Sequence, residues 1–210
     1  HNLGCKVNAY ETEAMAQLLE EDGYEIVPFE PGADVYVINT CTVTNIADRK
    51  SRQMLHKARK MNPDAIVVAA GCYVETADGG VEKDPAIDII LGNNQKNQLV
   101  SVIRDFEQKR AGKRAEEPSG AMTKKIDINH TKEYENLIID RTENRTRADI
   151  KVQDGCNQFC TYCIIPFARG RVRSRDTQDV LQEVRALAAS GCQEIVLTGI
   201  HLSSYGVDTG

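Results

Sequence analysis

The sequence predicts an α/β protein: a doubly wound parallel sheet followed by the opening of a (β/α) barrel. Three observations carry this. Short β-branched and apolar runs such as VYVIN and IVVAA lack the alternation of a half-exposed strand and suit strands buried on both faces. The segments between them repeat apolar residues at helical spacing. After about residue 110 the composition turns charged, with Gly and Pro, and a strand–helix–strand pattern then resumes.

In chain order, a helix is expected from about Ala9 to Glu21, with Ala14, Leu18 and Leu19 on one face and Gly23 as its stop. YEIVPF reads as a short strand and DVYVINT as a buried one. A helix from about Ile46 to Met61 ends at Asn62-Pro63. AIVVAAG and IDIILG are two further strands, and an amphipathic helix runs from Gln95 to Lys109. The stretch QKRAGKRAEEPSGAMTKK is poor in apolar residues and reads as linker. These features divide the chain into a first unit at 1–110, a linker at 111–144 and a second unit at 145–210. In the second unit ADIKVQ is a strand, and a loop with three cysteines follows. A helix from Thr177 to Ser190 then buries Val180, Leu181, Val184, Leu187 and Ala188, with Gly191 at its C′ position. EIVLTGI closes one βαβ unit with a long first loop, as at the start of a barrel. HNLGC begins where a strand should just have ended, so the chain is expected to be a piece of a longer protein, with later barrel strands beyond Gly210.

With 210 residues, 41% hydrophobic and 27% charged, the composition is that of an ordinary folded protein. A net charge of -5 argues against a broad nucleic-acid surface. No apolar run approaches the roughly 20 residues of a membrane span, and no signal peptide opens the chain. Seven cysteines, an odd number without disulfide-like spacing, point to a reducing compartment, expected to be the cytoplasm.

Cys156, Cys160 and Cys163 have the spacing C-x3-C-x2-C. Thiolates favour zinc or iron–sulfur clusters. Structural zinc takes four protein ligands, whereas His130 and His201 are distant in sequence and no fourth ligand is near. Three thiolates on a cubane leave one iron open to a cofactor or substrate, and the loop follows a barrel strand, at the end where barrel enzymes do chemistry. This favours a cluster over zinc, and both over incidental cysteines. Cys5, Cys41 and Cys72 each follow a predicted parallel strand, and such strand ends line one crevice. Each alone reads as a small buried hydrophobe; together they read as a second three-thiolate site. Cys192 precedes a strand and is expected in the core. Arg169, Arg171, Arg173 and Arg175 alternate after the loop. If extended they project to one side, suited to phosphate contacts or to a solvated charged loop. LGNNQ and DGGV match no phosphate loop, and no Ser-His-Asp or paired-carboxylate signature stands out. The four histidines read as surface or packing residues.

GCNQFCTYCIIP resembles the radical S-adenosylmethionine signature C-x3-C-x-aromatic-C, with Tyr162 in the aromatic place. LGCKVN, NTCTVTN and GCY resemble the three cysteine motifs of the methylthiotransferase N-terminal region, and the similarity extends over essentially the whole chain. LGCKVNAYETEA and CTVTN look most like the branch acting on N6-threonylcarbamoyladenosine in tRNA. The resemblance implies two 4Fe–4S clusters. One would be held by Cys156, Cys160 and Cys163, with S-adenosylmethionine on its open iron and Tyr162 beside the cofactor. The auxiliary one would be held by Cys5, Cys41 and Cys72 and carry the sulfur to be transferred. A 5′-deoxyadenosyl radical would take hydrogen from the adenosine C2 carbon, which then receives a methylthio group. Implied partners are the tRNA anticodon loop, contacted by Arg169, Arg171, Arg173 and Arg175, an electron donor and a sulfur source; no membrane is implied. The family also has a small C-terminal RNA-binding β-barrel domain, expected outside this chain. The alternatives are a methylthiotransferase for isopentenyl-adenosine or for a ribosomal protein, a non-catalytic iron–sulfur electron carrier, and a zinc-binding module.

Overall fold

The computed structural model describes residues 1–77, 79–112, 120–142 and 146–209. Helix α1 (Lys6–Glu21) starts three residues before its predicted point, with Cys5 in extended backbone at its N-cap. Ahead of it, Leu3 N–H donates to the Asn39 carbonyl (3.1 Å) and Asn39 N–H to that of His1 (2.9 Å). The strand expected just before Cys5 is thus a single parallel bridge between Asn2 and Asn39.

Strand β1 (Val35–Thr40), helix α2 (Asn45–Met61), strand β2 (Ile66–Gly71) and the short helix α3 (Cys72–Thr76) follow. Strand β3 (Ile89–Leu91), a 3-10 turn at Lys96–Gln98, helix α4 (Leu99–Gly112) and strand β4 (Met122–Lys124) complete the first sheet. Its order is β1-β2-β3-β4, parallel throughout. In β2 successive side chains alternate between faces, as the pleat requires. Val67 and Ala69 pack with Leu55 and Ala58 of α2, whereas Ile66, Val68 and Ala70 pack with Met15 and Leu19 of α1 and Val102 and Ile103 of α4. Every β2 residue is buried, which explains the uninterrupted apolar run. Helices on both faces make this the doubly wound sheet expected.

Two expectations are corrected. YEIVPF forms no strand, and its Ile26 and Val27 are exposed. Pro28 removes a backbone donor, and Phe29 instead turns its ring against Tyr36. The expected linker is not a bare tether where it is described. Lys124 and Met122 lie in β4, and Ile128, Leu137 and Ile139 are buried. Residues 113–119 and 143–144 of that stretch lie outside the described residues.

Strand β5 (Arg147–Asp154), helix α5 (Ile165–Arg169), strand β6 (Arg173–Ser174), helix α6 (Thr177–Ala189) and strand β7 (Glu194–Gly199) form the second unit. Its sheet has the order β6-β5-β7, with β5 parallel to β7 and antiparallel to β6. Val180 and Leu187 of α6 pack on Ala148, Ile150 and Val152, together with Tyr10 and Ala14 of α1. Leu181 and Ala188, expected inside, are exposed, and Glu183 is buried in their stead. It accepts from Ile139 N–H (2.7 Å), from the Tyr10 hydroxyl (3.0 Å) and from Arg175. These donors offset the cost of burying its charge. Among the described residues no helix is long and apolar enough to cross a membrane.

Gly155, the first residue after β5, has φ +71, and a Cβ there would overlap the Arg171 carbonyl oxygen. Gly155→Ala therefore combines a left-handed backbone with a backbone clash and is expected to cost about 2–4 kcal/mol. Urea unfolding measures this; a loss under about 0.5 kcal/mol, the range of neutral surface changes, would refute the close approach.

Candidate metal centre

The first sheet brings the three dispersed cysteines together. β1 and β2 pair in the register Thr40↔Gly71, so Cys41 and Cys72, the next residue of each strand, leave the sheet side by side. The Asn2–Asn39 bridge delivers Cys5 to the same edge. Gly71 (φ +94) makes the close exit possible, because a Cβ would sit 2.5 Å from Asn39 Oδ1 and 2.6 Å from the Thr40 carbonyl. Cys41 is held by Ser51 of α2 in both directions: its N–H donates to Ser51 Oγ (3.2 Å), whose hydroxyl donates to its carbonyl (3.0 Å). Cys5, Cys41 and Cys72 line one cavity of about 390 Å³, together with Asn8, Lys50 and Arg169.

Beneath this cavity lies a buried ion cluster. Glu11 of α1 accepts from Arg169 Nη1 (2.8 Å) and Nη2 (3.1 Å) and from Lys151 Nζ (2.9 Å), and pairs with Lys96 Nζ (3.1 Å). Asp154 pairs with Lys151 (3.2 Å), Arg169 (3.2 Å) and Arg173 (3.7 Å). All six side chains are 0–2% exposed. Burial by itself would raise the Glu11 and Asp154 pKa values, but the cations outweigh it and hold both below the usual carboxylate range. Burial likewise pushes the Cys72 thiol up, while Arg169 and Lys96, and a contact from Asn93 Nδ2 to its Sγ (3.7 Å), pull the other way. Glu135, buried, and Glu75, half-buried, also lie beside these cations, so the local charge favours the Cys72 thiolate only through its nearest cations, Arg169 and Lys96, and against the larger effect of burial. Sequence reasoning missed Glu11, Lys96, Lys151 and Asp154. The available signal was slight: Lys151 shares the strand run ADIKVQ with one other charge, Asp149.

The second cysteine set lies on the loop between β5 and α5. Cys156 N–H donates to the Gly170 carbonyl (3.0 Å) and Cys163 N–H to that of Cys160 (2.9 Å). Cys156 and Cys163 are half-buried and Cys160 is exposed. Between them Phe159 has φ 47, a left-handed conformation rare for a bulky residue. It is held by Phe167, whose ring lies edge-on at 5.9 Å, and by the Arg171 guanidinium at 4.4 Å. Tyr162 is 92% exposed. The two cysteine sets meet through α5, which begins two residues after Cys163 and sends Ile165 and Arg169 into the cavity wall. Among the described residues no three His, Cys, Asp or Glu side chains are already gathered around a single ion position. The donor chemistry of both sets, three thiols each, with the cavity beside Cys5, Cys41 and Cys72, fits a larger iron–sulfur group.

The arginines require a correction. Arg169, Arg173 and Arg175 are 0–1% exposed and belong to buried ion pairs with Glu11, Asp154 and Glu183, so they form no surface stripe for phosphate. Only Arg169 reaches the cavity, and its Nη2 is occupied by Asn8 Oδ1 (2.8 Å) as well as by Glu11. Arg171 braces the cysteine loop. Cys192 packs at the edge of the α6 core, as expected. His130 is exposed beside Asp127, and His201 Nδ1 lies 2.6 Å from Ser204 Oγ.

Comparison with known proteins matches these two regions separately. Residues 1–92 fit the family model described as uncharacterized protein family UPF0004, and residues 150–206 fit that of the radical SAM superfamily. The chain thus carries a stretch similar to the UPF0004 family and, around and after the cysteine loop, one similar to the radical SAM superfamily. Over 99% of its length it is 45% identical to the threonylcarbamoyladenosine tRNA methylthiotransferase MtaB of Bacillus subtilis, and 41% identical to the protein of that name from Aquifex aeolicus. Over 98% of its length it is 34% identical to the tRNA-2-methylthio-N(6)-dimethylallyladenosine synthase of Carboxydothermus hydrogenoformans. It covers 44%, 48% and 46% of these relatives, respectively, so it spans about half their length.

Proposed function

We propose that this chain is the cluster-bearing part of a radical SAM methylthiotransferase that modifies N6-threonylcarbamoyladenosine in the anticodon loop of tRNA. The observation that carries the reading is the joining of two three-cysteine sets by α5, which starts beside one and walls the cavity of the other. Cys156, Cys160 and Cys163 would hold one 4Fe–4S cluster with S-adenosylmethionine, Tyr162 standing beside it, and Cys5, Cys41 and Cys72 would hold a second. When bound, these groups supply the one-electron and sulfur-transfer chemistry, with an external electron donor and sulfur source.

The chain's own part is placement and charge. Ser51 and Gly71 fix Cys41 and Cys72 at adjacent strand ends. Arg169 and Lys96 favour the thiolate form at Cys72 against the effect of burial. Phe159, Phe167 and Arg171 hold the shape of the second cysteine loop. The choice of base follows the two relatives named for threonylcarbamoyladenosine at 45% and 41% identity, against 34% both for a third of that name and for one named for dimethylallyladenosine.

Mass spectrometry of tRNA nucleosides from a strain lacking the gene is the test. The expected result is loss of the methylthio form and accumulation of its threonylcarbamoyl precursor, restored by the wild-type gene but not by Cys160→Ala. Unchanged threonylcarbamoyladenosine with loss of the methylthio form of dimethylallyladenosine would transfer the reading to that substrate. Unaltered tRNA would leave the electron-carrier reading.

A further inference from the structure

In a chain of net charge -5, one helix is strongly basic. Helix α2 holds six Lys and Arg residues against a single acid, Asp48. Its buried residues are Ser51, Leu55 and Ala58. At 100° per residue, Arg49, Lys57 and Lys60 fall on the opposite side, with Ile46 in line at the N-terminal end. All four are exposed. The inward-turned Arg59 is bound to Asp88 and to the carbonyls of Pro63 and Ala65. His56 pairs with Asp84. Among the described residues no carboxylate pairs with Arg49, Lys50, Lys57 or Lys60.

A lysine- and arginine-rich helix face is often just solvated, so its position decides. The N-terminal end of α2 forms part of the wall of the Cys5, Cys41 and Cys72 cavity through Ile46, Ala47 and Lys50. Val43 and Ile46, 54% and 66% exposed, put an apolar patch at that end. From Ile46 to Lys60 the stripe runs about 21 Å along the helix axis at 1.5 Å per residue. It is thus a basic track without carboxylate partners, Lys57 lying 5.6 Å over the Phe29 ring, with one end at the thiol cavity and an apolar step where it arrives.

We infer that this face of α2 is the phosphate-binding track for the RNA substrate, leading a single-stranded loop to the cavity mouth, with Val43 and Ile46 meeting the base that enters. This rests on the tRNA reading above and adds its contact surface, in place of the buried arginines 169, 173 and 175. Unpaired loop bases are readily splayed from their stack, and lysine and arginine contacts to phosphate position the strand without reading its sequence.

The experiment compares the whole reconstituted protein, wild type and Arg49→Gln/Lys57→Gln/Lys60→Gln, for binding of a fluorescent anticodon stem–loop RNA at several salt concentrations. Lys109→Gln/Lys132→Gln/Arg185→Gln removes equal charge from exposed residues elsewhere and is the control. The α2 variant is expected to bind about tenfold more weakly or worse, with its log–log salt slope reduced by roughly two units, at unchanged iron content; the control should match wild type. An equal loss in both variants, or none in the α2 variant while wild type binds, overturns the track and leaves the tRNA reading intact. Absence of salt-dependent binding by wild type overturns the tRNA reading with it. Competition at the α2 face by poly-glutamate but not by RNA would mark a protein-docking surface instead.

Discussion

Glu11→Gln is expected to lower the stability of the protein by about 3–5 kcal/mol, because it removes the charge shared by three buried cations while keeping the shape. Arg169, Lys151 and Lys96 all meet this one carboxylate at 2.8–3.1 Å, and desolvation of an unmatched cation exceeds what a neutral amide returns. At about 2–4 °C per kcal/mol for a chain of this size, calorimetry should show a melting point lower by roughly 10 °C. A fall of less than about 2 °C would mean that the cations are satisfied elsewhere. The pH dependence has a definite sign. Glu11 and Asp154 titrate below their unfolded values in the native state, so their contribution is complete above the unfolded range near pH 4 and is lost as pH falls further. Wild type should therefore lose stability on acidification from pH 5 to pH 3 more steeply than Glu11→Gln.

Single cysteine replacements are expected to divide the iron of the whole, anaerobically reconstituted protein into two equal parts. Two 4Fe–4S clusters correspond to about eight irons. Cys160→Ala should leave about four and abolish cleavage of S-adenosylmethionine. Cys72→Ala should also leave about four but retain that cleavage. Cys192→Ala, whose side chain packs at the α6 core, should keep all of it. Iron and acid-labile sulfide assays together with cofactor-cleavage kinetics measure this. Full iron in Cys72→Ala would remove the second site, and zinc in place of iron would remove both.

What could be read from the sequence follows from how local each cause is. The parallel strands were legible because burial on both faces leaves an unbroken apolar run, as in β2. Cys41 and Cys72 could be placed at strand ends by the same pattern. Their meeting in one crevice followed from the same placement, but that Cys41 and Cys72 leave directly neighbouring strand ends depends on the Thr40↔Gly71 register, which no local spacing encodes. β4 was hidden because MTK is three residues of mixed polarity, held in place by pairing with β3. YEIVPF has strand composition, yet Pro28 interrupts it. The alternating arginines misled for the opposite reason: their neighbours in sequence suggest solvent, whereas the carboxylate that buries Arg169 lies 158 residues away. The basic face of α2 was present in the sequence and passed over because net charge averages it with the acidic remainder.

Helix α1 serves two masters. Met15 and Leu19 belong to the core of the first sheet, Tyr10 and Ala14 to that of the second, Glu11 grips both Lys151 and Arg169, and Cys5 stands at its N-terminal end. In modular terms the two halves are therefore not beads on a string. A barrel grafted from a distant relative would meet α1 with the wrong cavity for Tyr10 and the wrong cations for Glu11, and the thiol at the head of the helix would move with the misfit. Chimeras that exchange the halves should succeed only when α1 is taken from the same parent as the barrel, so a second seam after residue 21 is needed besides the one in the charged stretch past residue 110. One cut where the composition changes is not enough.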